Sequence, residues 1–163
     1  MESLKNNTNK IILSKNIYFI IDNKNEERTD FVNENDKWEL KIDVRNNVEN
    51  VFFDNERHIM NLSETKKCDW LLFNNTHIFF IEAKDVKPSK RGKERKDAKL
   101  KFRDTINFYK HNFNIPESSI LNAVLNFRNN KEITGAASKE NKAYYKEILG
   151  LNYYEQKVLI IDR

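Results

Sequence analysis

The stretch Lys67-Cys68-Asp69-Trp70-Leu71-Leu72-Phe73-Asn74-Asn75-Thr76-His77-Ile78-Phe79-Phe80-Ile81-Glu82-Ala83-Lys84 decides how this chain folds. Two apolar runs, Trp70 to Phe73 and His77 to Ile81, flank the polar triplet Asn74-Asn75-Thr76, the pattern of a β-hairpin closed by a short turn. Pairing the runs across that turn sets Asp69 opposite Glu82 in one ladder. Side chains alternate along a strand, so Glu82 and Lys84 share a face while Ala83 points to the other side. Ile78 to Ile81 is apolar without a break, as expected for a strand buried on both faces. A Glu and a Lys directly at the end of such a strand are costly if desolvated, so their presence asks for a reason.

Two carboxylates beside one lysine suit phosphodiester hydrolysis. A hard divalent cation such as Mg2+ takes one or two carboxylates from a protein and keeps water and substrate phosphate oxygens for its other positions. The metal lowers the pKa of a bound water and takes up charge in the transition state. Lys84 would position that water or donate to the developing negative charge. The same residues on a half-wet sheet could form an ordinary surface ion pair, which contributes little.

Lys67-Cys68-Asp69-Trp70-Leu71-Leu72, then Ile78-Phe79-Phe80-Ile81-Glu82-Ala83-Lys84, then a lysine-rich helix, resembles the core of the PD-(D/E)XK nuclease superfamily, the fold of many restriction endonucleases and resolvases. The resemblance is clear from Val51 to Tyr109. It implies an α/β, restriction-endonuclease-like three-layer sandwich, with a mixed central sheet flanked by helices. It also implies a Mg2+- or Mn2+-dependent endonuclease in which Asp69, Glu82 and Ala83 form the metal site and Lys84 serves catalysis. DNA ranks ahead of RNA as the partner, and a homodimer would place two sites on two strands. Cys68 stands where the motif has Pro, and Lys101 stands where many members carry a helix Gln. The additional acid that such enzymes draw from an N-terminal element has three candidates here: Glu39, Glu49 and Asp54. The alternative is a non-catalytic nucleic-acid-binding or protein-interaction module that keeps the fold, in a bacterial defence or toxin system.

Charge is distributed unevenly. From Lys84 to Arg103 the chain has ten basic and three acidic residues, a local excess of seven; the whole chain is +4, so the remainder is net −3. A basic block next to the acidic pair is where a phosphate backbone would lie, and such contacts give affinity without sequence readout. Lys87, Lys90, Arg91, Lys93, Arg95, Lys96, Lys99 and Lys101 are the candidate nucleic-acid-binding residues. Runs of this kind also form solvated helix faces.

The remaining elements follow from periodicity. Ile17 to Ile21 reads as a strand, and a polar stretch runs from Asp22 to Asp36. Trp38, Leu40, Ile42 and Val44 alternate with Glu39, Lys41 and Asp43, which makes a half-buried strand and turns Glu39 away from the core. Val51-Phe52-Phe53 begins another strand. Pro88 to Gly92 reads as a mobile loop, and Lys93 to Asn112 as a helix burying Ala98, Phe102, Ile106 and Tyr109. Ile120 to Phe127 is a central strand. Ser138 caps a helix from Lys139 to Leu149 that stops at Gly150, and Lys157 to Ile161 is the closing strand.

At 163 residues, with 39% apolar and 12% aromatic content, one domain spanning 1–163 is expected, with residues 1–50 as N-terminal strands and 51–163 as the core. A lone cysteine, Cys68, excludes an internal disulfide and a zinc cluster. Without a transmembrane run or signal-peptide pattern, a cytoplasmic protein that makes no membrane contact is expected. No Gly-rich phosphate loop is present, and His58, His77 and His111 fall in no nucleophile-base pattern.

Overall fold

The computed structural model describes residues 1–127, 136–156 and 158–162. Within them the chain runs α1 (Glu2–Lys5), β1 (Ile11–Leu13), β2 (Asn16–Asn23), β3 (Arg28–Val32), β4 (Leu40–Val44), β5 (Asn50–Asp54), β6 (Trp70–Phe73), β7 (His77–Lys84), α2 (Arg91–Asn112), β8 (Ile120–Phe127), α3 (Ala136–Tyr144), β9 (Asn152–Gln156) and β10 (Val158–Ile161). A π-helical turn, Asn55–Ile59, follows β5, and another, Tyr145–Leu149, extends α3. The protein is α/β with two mixed sheets. β1, β5, β6, β7, β8 and β9 form six strands in that order, antiparallel as far as β7 and parallel beyond it. β10, β4, β2 and β3 form a second sheet of four, with β10 parallel to β4.

Strand alternation sorts the core into two halves. Val51, Phe53, Leu71, Phe73, Ile78 and Phe80 pack with Ala98, Phe102, Ile106 and Tyr109 of α2. Their neighbours Phe52, Trp70, Leu72, Phe79 and Ile81 pack with Ile20, Leu40, Ile42, Val44, Leu159 and Ile161 of the smaller sheet. The layers are therefore helices, six-stranded sheet and four-stranded sheet. The unbroken apolar run in β7 is explained by this, since both of its faces are covered. Each fully buried Phe or Leu contributes about 1.5–3 kcal/mol, and Phe52, Phe53, Phe73, Phe80, Phe102 and Phe127 are all below 2% exposed.

These three layers are compatible with the α/β sandwich expected, with one difference: one of the flanking layers is a sheet. Among the described residues, helices cover one face only, because the N-terminal strands and the last strand build a sheet of their own against the other. The succession of elements after β7 is as expected, but a different strand completes it. β9, which completes the succession of strand, helix, strand, helix, strand, is Asn152–Gln156, whereas the closing apolar strand crosses to pair with β4. Strands from either side of residue 50 share sheets, β1 with β5 and β4 with β10.

Three local readings change as well. Pro88 to Gly92 is ordered: Pro88–Lys90 is a 3-10 turn leading straight into α2, and Arg91 is buried with its guanidinium 5.0 Å from the Phe127 ring. The polar stretch after β2 contains β3, an edge strand whose mixed burial hides it from periodicity. The helix placed from Lys139 begins at Ala136, and Gly150 closes its π-helical extension at φ 70°. The Ser138 side chain and Lys157 lie outside the described residues. No helix among the described residues is long and apolar enough to cross a membrane.

Candidate active site at the mouth of the hairpin

Trp70 pairs with Ile81 and Leu71 with Phe80, so the register carried one step outward sets Asp69 beside Glu82. The two strands are locked there by a side-chain bond: the Ala83 N–H donates to Asp69 Oδ2 at 2.9 Å. Parity places Asp69 with Leu71 and Phe73, and Glu82 with Ile78 and Phe80, on the face under α2. Ala83 falls in the opposite core half.

The chain around Asp69 is anchored on both sides. The Cys68 N–H donates to Thr105 Oγ1 of α2 at 3.0 Å, and Asn55 Nδ2 donates to the Cys68 carbonyl at 2.7 Å. Asn55 is fully buried, and its Oδ1 accepts from the Tyr109 hydroxyl at 2.8 Å. The Asn55 N–H in turn donates to the Asp69 carbonyl at 3.0 Å. Tyr109, expected as core, thus also holds the support for the acid. Cys68 is fully buried, and burial pushes its thiol well above the ordinary range, so it is inert.

Glu82 is 0% exposed. Its Oε1 receives two ammonium groups, Lys84 Nζ at 2.6 Å and Lys101 Nζ at 2.7 Å. Its Oε2 is buried with no hydrogen-bond partner among the described residues. Lys101 also lies 3.6 Å from Asp69 Oδ1, so one ammonium bridges both carboxylates. Burial, followed by the charge of Asp69, raises the Glu82 carboxyl to about 8, against the pull of Lys101 and Lys84. Burial disfavours both ammonium groups, yet the acidic charges outweigh it and raise them: Asp69 and Glu82 for Lys101, Glu82 for Lys84.

Asp69, Ala83, Lys84 and Lys101 open onto a polar cleft of about 740 Å³, whose wall also carries Asp22, Glu39, Glu56 and Arg57. Glu39 precedes β4 and accepts from the Asp22 N–H at 3.3 Å. It does face away from the core, but that direction leads into the cleft. Burial raises its carboxyl, and the Asp69 and Asp22 charges add to the effect. Of the other two candidate acids, Glu49 is exposed and lines no part of the cleft. Asp54 is taken up by the fold. It caps the π-helical turn and accepts from Arg57 Nη1 at 2.7 Å and from Thr29 Oγ1 at 2.8 Å. Among the described residues, no three His, Cys, Asp or Glu side chains converge as a ready-made metal cluster.

The basic block divides by role. Lys87, Lys90, Lys93 and Lys96 are exposed and recur every third residue. Arg95 is committed to Glu155, at 2.8 and 2.9 Å, Arg91 to the Phe127 ring, and Lys99 to the Tyr144 ring at 4.5 Å. Lys101 sits within the acidic centre. The exposed His58 does not line the cleft, and His77 stacks on Phe79, 5.6 Å between centroids, beside a separate cleft.

Sequence reasoning missed Asn55, Thr105, Asp22 and Glu56. The polar Asn55 after a buried strand was the one legible hint; Glu56 follows it in the same turn, its N–H 3.3 Å from the Asp69 carbonyl, while Thr105 and Asp22 reach the site only through the packing of α2 and the smaller sheet. No family model matches this chain, and neither does any curated protein or solved structure.

Proposed function

We propose that this protein is a Mg2+- or Mn2+-dependent endonuclease of PD-(D/E)XK type with a restriction-endonuclease-like fold, hydrolysing phosphodiester bonds of DNA. The observation that carries this reading is the fully buried Glu82, held beside Asp69 and Lys84 with Oε2 unmet. Leaving a buried carboxylate oxygen unsatisfied costs stability, which makes it a candidate ligand position rather than a structural one.

The donors suit a hard divalent cation. Asp69 and Glu82 supply the one or two carboxylates such an ion takes, and the Lys101 ammonium already stands between them as a cation. The Ala83 carbonyl would join them, since an extended residue directs its N–H and C=O to the same strand edge and the Ala83 N–H faces Asp69. The ion would supply a lowered pKa to a bound water and a counter-charge to the phosphate.

The chain's own residues do the rest. Lys84, held by Glu82 as a protonated ammonium, donates hydrogen bonds to the incoming water or to a non-bridging phosphate oxygen. Lys87, Lys90, Lys93 and Lys96 hold the backbone electrostatically, and a homodimer would bring a second site to the opposite strand. Glu39 narrows the cleft as a third acid.

The test is cleavage of supercoiled plasmid, linear duplex, single-stranded DNA and RNA with Mg2+, Mn2+ or EDTA, comparing wild type with Lys84→Ala and Glu82→Ala. Metal-dependent cutting lost in both variants is the expected result. The second reading, a non-catalytic nucleic-acid-binding module, is favoured by one observation: Lys84 and Lys101 already occupy Glu82 Oε1. Binding without cutting, and without stabilisation by metal, would decide for it.

A further inference from the structure

Lys101 occupies an unusual place. It comes from α2, not from the hairpin, and its ammonium touches both acids, 2.7 Å from Glu82 Oε1 and 3.6 Å from Asp69 Oδ1. Lys84 differs, because it reaches Glu82 alone of the pair and its second acidic neighbour is Glu94 at 4.0 Å. A cation bridging two carboxylates stands where a divalent ion shared by them would stand. Two cations cannot hold that position together, since repulsion between charges a few ångströms apart in a partly buried site is large.

Resting on the nuclease reading, we infer that Lys101 is a displaceable internal counter-cation. Without metal its ammonium holds Asp69 and Glu82 together, and a divalent ion binds by driving it out.

Displacement has somewhere to go. Lysine carries a compact charge on a flexible four-carbon stem, so the head can move without the helix. Asp97 lies four residues earlier on α2, a spacing that puts the two side chains on one helix face. Glu56 lines the same cleft and attracts the Lys101 charge. Asp97 is already paired with Lys66, but with the two side chains partly in water that pair exchanges readily. Two properties follow. The two acidic side chains stay in register without metal, and the apparent metal affinity is reduced by the fraction of molecules in which Lys101 holds the site.

Titration calorimetry with Mn2+, beside melting in EDTA, tests this on the full chain. Lys101→Gln should bind Mn2+ about tenfold or more tightly than wild type and melt lower in EDTA. Lys101→Met, uncharged and of similar length, repeats the measurement should Gln unfold the protein. Lys101→Arg keeps a bridging cation and should gain no affinity. Lys24→Gln removes a cation that lines the same cleft, where Lys84 and Lys101 are the lysines ion-paired to Asp69 and Glu82 among the described residues, and reports the general effect of charge. Equal gains in Lys24→Gln and Lys101→Gln, or weaker binding in both uncharged Lys101 variants, would overturn the inference while leaving the metal site intact. Absence of Mn2+ binding in every variant, wild type included, would instead overturn the nuclease reading beneath it. Loss of wild-type binding in Asp69→Ala would support both.

Discussion

Asp54 and Glu82 are both buried carboxylic acids met by cationic side chains, at the same end of β5 and β7, the two strands that flank β6. Asp54 has both oxygens satisfied, Oδ1 by the Arg57 N–H at 3.0 Å and Oδ2 by Arg57 Nη1 and Thr29 Oγ1. Arg57 continues to Asp22 at 2.6 Å, so this network also ties the smaller sheet to β5. Glu82 instead gathers two ammonium groups on Oε1 and leaves Oε2 without a partner. A carboxylate that serves the fold is closed on every side; under the proposed function, the unmet oxygen of Glu82 is the capacity kept for a ligand. The cations differ in kind too: a rigid guanidinium fork for Asp54, movable lysines for Glu82.

The sharpest way to break the contrast is through activity. Under the proposed function, Glu82→Ala and Lys84→Ala should each lower the metal-dependent cleavage rate by about a thousandfold, with folding retained by circular dichroism. Activity within a few-fold of wild type would put Glu82 in the same structural class as Asp54.

The converse substitution probes the closed network. Arg57→Ala leaves Asp54 buried without its guanidinium and should cost about 2–3 kcal/mol in urea unfolding, below the full value for a buried pair because Arg57 is partly exposed. An unchanged midpoint would show that Thr29 and the turn satisfy Asp54 alone.

A smaller effect lies in pH. The Glu82 carboxyl is raised from 4.5 to about 8 by burial and by Asp69, so the folded state holds this proton more tightly than the unfolded one. That contribution to stability is complete below about pH 4.5 and is lost as pH rises towards 8. Glu82→Gln does not titrate. In EDTA, its melting temperature relative to wild type should therefore move in favour of Gln across that window. A flat difference would mean that Lys84 and Lys101 keep Glu82 ionised throughout.

The least effect is expected from the exposed lysines. Under the proposed function, each of Lys87→Gln, Lys90→Gln, Lys93→Gln and Lys96→Gln should weaken duplex binding a few-fold and reduce the salt slope by about one. Arg95→Gln, whose guanidinium is committed to Glu155, should instead act on stability. A salt slope that Arg95→Gln lowers as much as the lysine variants do would remove this division of the basic block.

How much of this was legible depended on how local it was. Asp69, Glu82 and Lys84 lie within one hairpin, so apolar runs and a short turn suffice to bring them together. Glu39 shows the limit. Alternation alone turns it from the core, yet only the packing of two sheets makes that direction the inside of a cleft. β3 and β9 are edge strands with one wet side, and their polar residues conceal them. β10 read as a strand from its own residues, but its partner β4 lies more than a hundred residues away.

By itself, then, the sequence determined the elements whose partners are near neighbours: the hairpin, the register that pairs Asp69 with Glu82, the face shared by Glu82 and Lys84, and the helix that buries Phe102 and Tyr109. Tertiary structure alone decided that a second sheet covers the other face, that Asn55 and Thr105 brace Asp69, and that Lys101 bridges the two acids. The physical reason is range. Backbone periodicity is set by residues a few positions apart, whereas the meeting of a helix lysine with a strand carboxylate follows from how whole layers pack to bury their apolar faces.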